Sequence, residues 1–151
     1  SAPAGVPLAA GTLAAAFLAR ALPHIAAPSP GETLAQFLEA PARAGKTIAA
    51  VGYWGPELDY RLARAGAPGR VVLFPSSVAA HPGWYREEEI TGDRLSADAD
   101  AALASSPSPT IFVLPRGSRA SAALAARLGA ARRLLASPIV DVVEIPSPDV
   151  R

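Results

Sequence analysis

The sequence predicts an α/β fold, a Rossmann-like three-layer fold with a small, mainly parallel sheet of about four strands. Three observations carry the prediction. Short apolar runs recur at residues 47–52 (TIAAVG), 70–74 (RVVLF), 110–114 (TIFVL) and 139–145 (IVDVVEI). The first three lack polar alternation, as expected of strands covered on both faces. Helical patterns stand between the runs, so strand, helix and strand alternate along the chain.

The elements follow in order. Pro28-Ser29-Pro30-Gly31 is a breaker, and a helix follows it with Leu34, Phe37 and Leu38 on one side. Glu32 falls in its first turn, where the helix dipole favours an acid. After the first strand, Leu58 and Leu62 at i, i+4 spacing predict a helix over 57–65, with Gly55 and Pro56 at its start. After the second strand, Leu95, Ala99 and Leu103 predict a helix over 93–105. Leu124, Leu128 and Leu135, with Arg127, Arg132 and Arg133 on the other side, predict a helix over 118–135. Asp141 and Glu144 mark the last run as a candidate edge strand.

A chain of 151 residues reads as one domain, and at that length roughly 70% of the unfolded surface can be buried. The reading is a single α/β domain over 1–151, with an N-terminal helix and linker over 1–30 and the sheet-and-helix core over 31–151. Half of the residues are apolar and 18% are charged, which is globular composition. A net charge of +1 gives no broad field for nucleic acid or for an anionic membrane. The absence of cysteine excludes disulfides, thiolate catalysis and cysteine-held zinc. The chain begins Ser1-Ala2 and contains no methionine, so it reads as a mature product or part of a larger protein. Residues 2–19 are an uncharged run interrupted by Pro3, Gly5, Pro7 and Gly11. Its two readings are a docked helix starting after Thr12 and the trimmed end of a membrane-adjacent segment.

Ligands of open α/β sheets gather beyond the carboxyl ends of the strands, so the post-strand loops hold the candidate site residues. After the first strand, Gly52-Tyr53-Trp54-Gly55 is not a dinucleotide fingerprint. Tyr53 and Trp54 either stack on a sugar or base or close the top of the core. After the second strand, the longest loop carries His81, Trp84 and Tyr85, then Glu87, Glu88 and Glu89. His81 is a candidate acid or base and Ser76 or Ser77 a candidate nucleophile, but no nucleophile-elbow motif surrounds the serines. The glutamate run reads as a solvated face. With only His24 and His81 present, a histidine-rich metal centre is excluded. After the third strand, Arg116, Ser118 and Arg119 at a helix start form a candidate phosphate site, or simply a capped helix with two exposed arginines. No motif calls for a cofactor.

Residues 47–66 (TIAAVGYWGPELDYRLARAG) and 70–85 (RVVLFPSSVAAHPGWY) resemble the soluble C-terminal tail of polytopic bacterial glycosyltransferases of family 39, the mannosyltransferase-like enzymes that use lipid-linked sugar donors. The likeness spans roughly a quarter of the chain and lies in the order of strand, Gly-Tyr turn, helix with Leu58, Tyr60 and Leu62, and a second strand running into prolines. It implies an extracytoplasmic accessory domain on the periplasmic face, partnered by the membrane-embedded remainder of a larger protein. The catalytic acids of that family lie in loops between its membrane helices, so no catalytic residue transfers to this chain. The resemblance implies that the chain alone is inactive and that Tyr53, Trp54, His81, Trp84 and Tyr85 contact sugar. The alternatives are a freestanding module binding a small molecule or phosphate, and a hydrolase.

Overall fold

A computed structural model describes residues 28–40, 42–68, 70–80 and 86–145. Their elements are α1 (Pro30–Glu39), β1 (Ile48–Val51), α2 (Trp54–Arg64), β2 (Val71–Phe74), α3 (Ser76–Ala80), a 3₁₀ turn (Glu87–Glu89), α4 (Gly92–Leu103), β3 (Ile111–Pro115), α5 (Arg119–Ala125), β4 (Arg132–Ala136) and β5 (Val140–Glu144). The predicted helix in the segment before residue 28 lies outside the described residues.

The five strands form one sheet in the order β2-β1-β3-β5-β4. β1 pairs in parallel with β2 and with β3. β5 runs antiparallel to both β3 and β4. The fold is therefore α/β as predicted, with a parallel centre and an antiparallel hairpin at one side.

Alternate strand residues feed two cores, as the period of two requires. Ile48 and Ala50 of β1, Ile111 and Val113 of β3, and Val140 and Val142 of β5 face α1 and α2, where they meet Leu34, Leu38, Leu58 and Leu62. Ala49, Val51, Phe112 and Leu114 face α4 and α5, where they meet Leu95, Ala99, Ala120 and Leu124. Helices thus cover both faces, which explains why β1 and β3 carry no polar alternation. β1 is buried at all four positions, whereas β2, at an edge, is buried only at Phe74.

Capping fixes the helix starts. Ser29 Oγ accepts from the Glu32 N–H and Thr91 Oγ1 from the Arg94 N–H. Ser29 Oγ also accepts from Arg61, tying the start of α1 to α2. Gly55 lets α2 lie close on the sheet. A Cβ built there would sit 2.6 Å from Leu73 Cδ2 and 3.3 Å from the Ala50 carbonyl oxygen.

The structure corrects two expectations. The predicted helix over 118–135 ends early, and its second half is β4, which makes five strands where about four were expected. Leu124 of α5 and Leu128, just beyond its end, do enter the same core, with α4. Leu134 and Leu135 pack instead against the opposite core, which one continuous helix could not reach. Gly129 makes the break, with φ of +57°. The run containing Asp141 and Glu144 is not an edge either. β5 lies between β3 and β4, so β4 is the outer strand. Its register with β5 shifts between Arg133 and Leu135, leaving Leu134 as the irregular residue.

The acids of β5 are matched at each end. Glu144 is 5% exposed and bonds to both Lys46 and Arg132, the latter at 2.6 Å. Those two hydrogen bonds, Lys46 first, hold its carboxyl below the usual carboxylate value, against the opposing effect of burial. Asp141 accepts from Arg116 at 2.8 Å.

Candidate functional site

β2 and β3 leave β1 on opposite sides, so the strand order reverses between β1 and β3. In open α/β sheets this switch point is where ligands bind, outside the carboxyl ends of the strands. A crevice of about 300 Å³ lies there, bounded by Val51, Gly52, Tyr53 and Trp54 beyond β1 and by Pro115 and Ser118 beyond β3. Glu87 and Glu88 of the 3₁₀ turn complete its lining. Gly52 donates its N–H to the Phe74 carbonyl and accepts from the Gly55 N–H, which fixes the floor of the crevice to the end of β2.

The two aromatic residues do different things. Trp54 packs against the core of α1 and α2 with one side while lining the crevice. Tyr53 is 58% exposed and lines the same crevice. Of the two sequence readings of this pair, closing the core fits Trp54.

Ser118 joins the third strand to the second loop. Its Oγ accepts from the Ser121 N–H at 3.1 Å as the cap of α5 and donates to Glu87 Oε2 at 2.8 Å. Glu87 Oε1 accepts from the Ala120 N–H at 2.9 Å. The spot beside Ser118 proposed for a phosphate is thus held by a carboxylate of the chain itself.

Comparison with family models, with curated proteins and with solved structures found no match. The site rests on its own geometry.

Of the predicted site residues, Tyr53, Trp54 and Ser118 come together at the crevice. Arg116 and Arg119 do not line it. They border a neighbouring groove of about 460 Å³ with Ser121 and Asp141. Arg116 is paired there with Asp141, and Arg119 reaches the Ile90 carbonyl oxygen at 3.4 Å. His81, Trp84 and Tyr85 lie outside the described residues. Ser76 Oγ donates to Asp98 Oδ2 at 3.0 Å and accepts from Arg94 at 3.0 Å, a tie between α3 and α4. Among the described residues no cluster of three acidic or histidine side chains is placed to hold a metal ion, and no helix is long and apolar enough to cross a membrane.

The residues missed by sequence reasoning are Glu87 and Glu88. A glutamate run after a long loop carries no local signal for a cap on a helix that starts more than thirty residues later. The nearest clue is Ser118 itself, which as an N-cap marks a helix N-terminus without indicating what faces it.

Proposed function

We propose that this is a non-catalytic accessory domain that holds a sugar ring at the carboxyl ends of β1 and β3, as part of a larger extracytoplasmic membrane glycosyltransferase using a lipid-linked donor. The observation that carries the ligand part is the crevice itself. It stands at the switch point, and its lining sets the aromatic residues Tyr53 and Trp54 beside Glu88, whose carboxylate is able to accept hydrogen bonds from sugar hydroxyls. The resemblance of residues 47–66 and 70–85 supports the parent enzyme and its membrane.

Two measurements test the two halves. In an NMR titration of the chain with mannose or glucose, the amides of Gly52, Tyr53 and Ser118 shift, and Tyr53→Ala abolishes most of that response. Shifts confined to other surfaces overturn the crevice as the sugar site. Fractionation of the complete gene product tests the parent. Release only by detergent supports a membrane enzyme, and release without detergent leaves a freestanding binding module.

A further inference from the structure

A second opening, an apolar groove of about 380 Å³, adjoins the crevice, and Trp54 lines both. The groove lies between the start of α1 and the β4–β5 hairpin, with Pro28, Leu34, Trp54, Leu135, Ile139 and Val140 in its lining and no charged residue. Ile139 is 51% exposed and is the only leucine or isoleucine left exposed among the described residues. An apolar hollow with an isoleucine open to water on its rim gains free energy by being covered.

The chain carries a cover of matching chemistry. Pro28, where the described segment begins, is part of the lining, so the preceding residues join the domain at the groove itself. Within residues 1–27 the one lysine, arginine or acidic side chain is Arg20. Leu13, Phe17, Leu18 and Leu22 recur at helical spacing, and Pro23 ends the pattern. A helix over 13–22 is below the length of about 12–15 residues at which an isolated helix becomes even marginal in water, so it needs a surface to pack on. The stretch from Leu22 to Pro28 reaches at most about 20 Å when extended, which keeps that helix within range of the groove. Such a tether holds the segment at an effective concentration of about millimolar, so a second copy of the chain competes poorly for the same surface.

We infer that the groove between α1 and the β4–β5 hairpin is the docking site of the chain's own residues 13–22, which lay Leu13, Phe17, Leu18 and Leu22 into it as a helix. This docking does not depend on the sugar reading of the neighbouring crevice.

The test is paramagnetic broadening in the full 151-residue chain, which has no cysteine of its own, with a nitroxide carried by Ala16→Cys on the side of the helix away from the four anchors. The amides of Thr33, Trp54, Ile139 and Val140 lose most of their intensity, and that of Ala101, on α4 at the opposite face of the sheet, keeps its own. Phe17→Asp with Leu18→Asp restores the lost intensity, and so does Ile139→Asp, an exposed substitution on the groove side. Unchanged amide positions at Ala49 and Val113 show that the core is intact in each variant. Broadening that survives both sets of substitutions comes from the tether alone and overturns the docking. Intensity retained at the groove amides in the parent chain overturns it as well. Broadening of the groove amides in an equal mixture of isotope-labelled unmodified chain and unlabelled spin-labelled chain means that copies exchange segments, and overturns docking within one chain.

Discussion

The two ends of the sheet handle polar groups in opposite ways. At the amino ends of β1 and β3, Glu144 is buried and bonds to Lys46 and Arg132. Beside it, Arg70 donates to the carbonyl oxygens of Lys46 and Arg43, both at 2.9 Å. Burial lowers the pKa of that guanidinium, against the raising effect of Glu39. At the carboxyl ends the sheet opens into the crevice, where Glu88 and Tyr53 are exposed. The first end ties its charged side chains to partners, and the second lines an open crevice. The difference teaches where each kind of substitution should register: stability at the first end, binding at the second.

The largest expected loss of stability comes from the closed end. Glu144→Ala removes a buried carboxylate and leaves Lys46 and Arg132 without it, at a cost of about 2 kcal/mol in urea unfolding, while sugar binding is unchanged. Loss of binding in that variant would show that the two ends are coupled.

Next comes Gly55→Ala, beneath the crevice. The added methyl meets Leu73 and the Ala50 carbonyl, so α2 must shift, and stability falls by about 1–2 kcal/mol. Because α2 begins at the crevice, the sugar response weakens in parallel. Unchanged unfolding would show that Leu73 turns aside freely.

Ser118→Ala removes both the α5 cap and the bond to Glu87, at about 1 kcal/mol. Tyr53→Ala completes the series, with stability changed by less than about 0.5 kcal/mol and sugar affinity reduced roughly fivefold. If Tyr53→Ala is the more destabilising of the two, its ring belongs to the core and the contrast between the ends fails.

Acidification sharpens the same contrast. The Glu144 carboxyl is lowered in the native state by hydrogen bonds from Lys46 and then Arg132. Its stabilisation is therefore complete above the ordinary glutamate value of about 4.3 and is lost as pH falls through the lowered native value. The gap in unfolding free energy between the parent protein and Glu144→Gln is widest near neutral pH and narrows toward pH 3. A gap that stays constant would detach the ion pairs from stability.

The sheet was legible where local pattern and burial agree. β1 and β3 read as covered strands because the residues on both of their faces are apolar, and the helices on both faces explain that pattern. β4 was not legible. Leu135 follows Leu128 at the helical i, i+7 spacing, and what separates them is the turn at Gly129 and a ladder to β5, a partner supplied by the tertiary fold. The candidate site was legible as a set of post-strand loops. Tyr53, Trp54 and Ser118 converge because β1 and β3 are neighbours, whereas Arg116 is drawn away by Asp141, which only the antiparallel pairing brings beside it. Glu87 was unreadable because its role depends on a contact with the Ala120 N–H.

The irregularity in β4 has a consequence for life at high concentration. An outermost strand with regular backbone is a template on which another chain can add, the first step of cross-β aggregation. Here that border is kinked at Leu134 and carries exposed Arg132 and Arg133. A second copy would have to match a broken hydrogen-bond register while bringing its own two guanidinium groups close by, so growth of an extended sheet from this border is disfavoured.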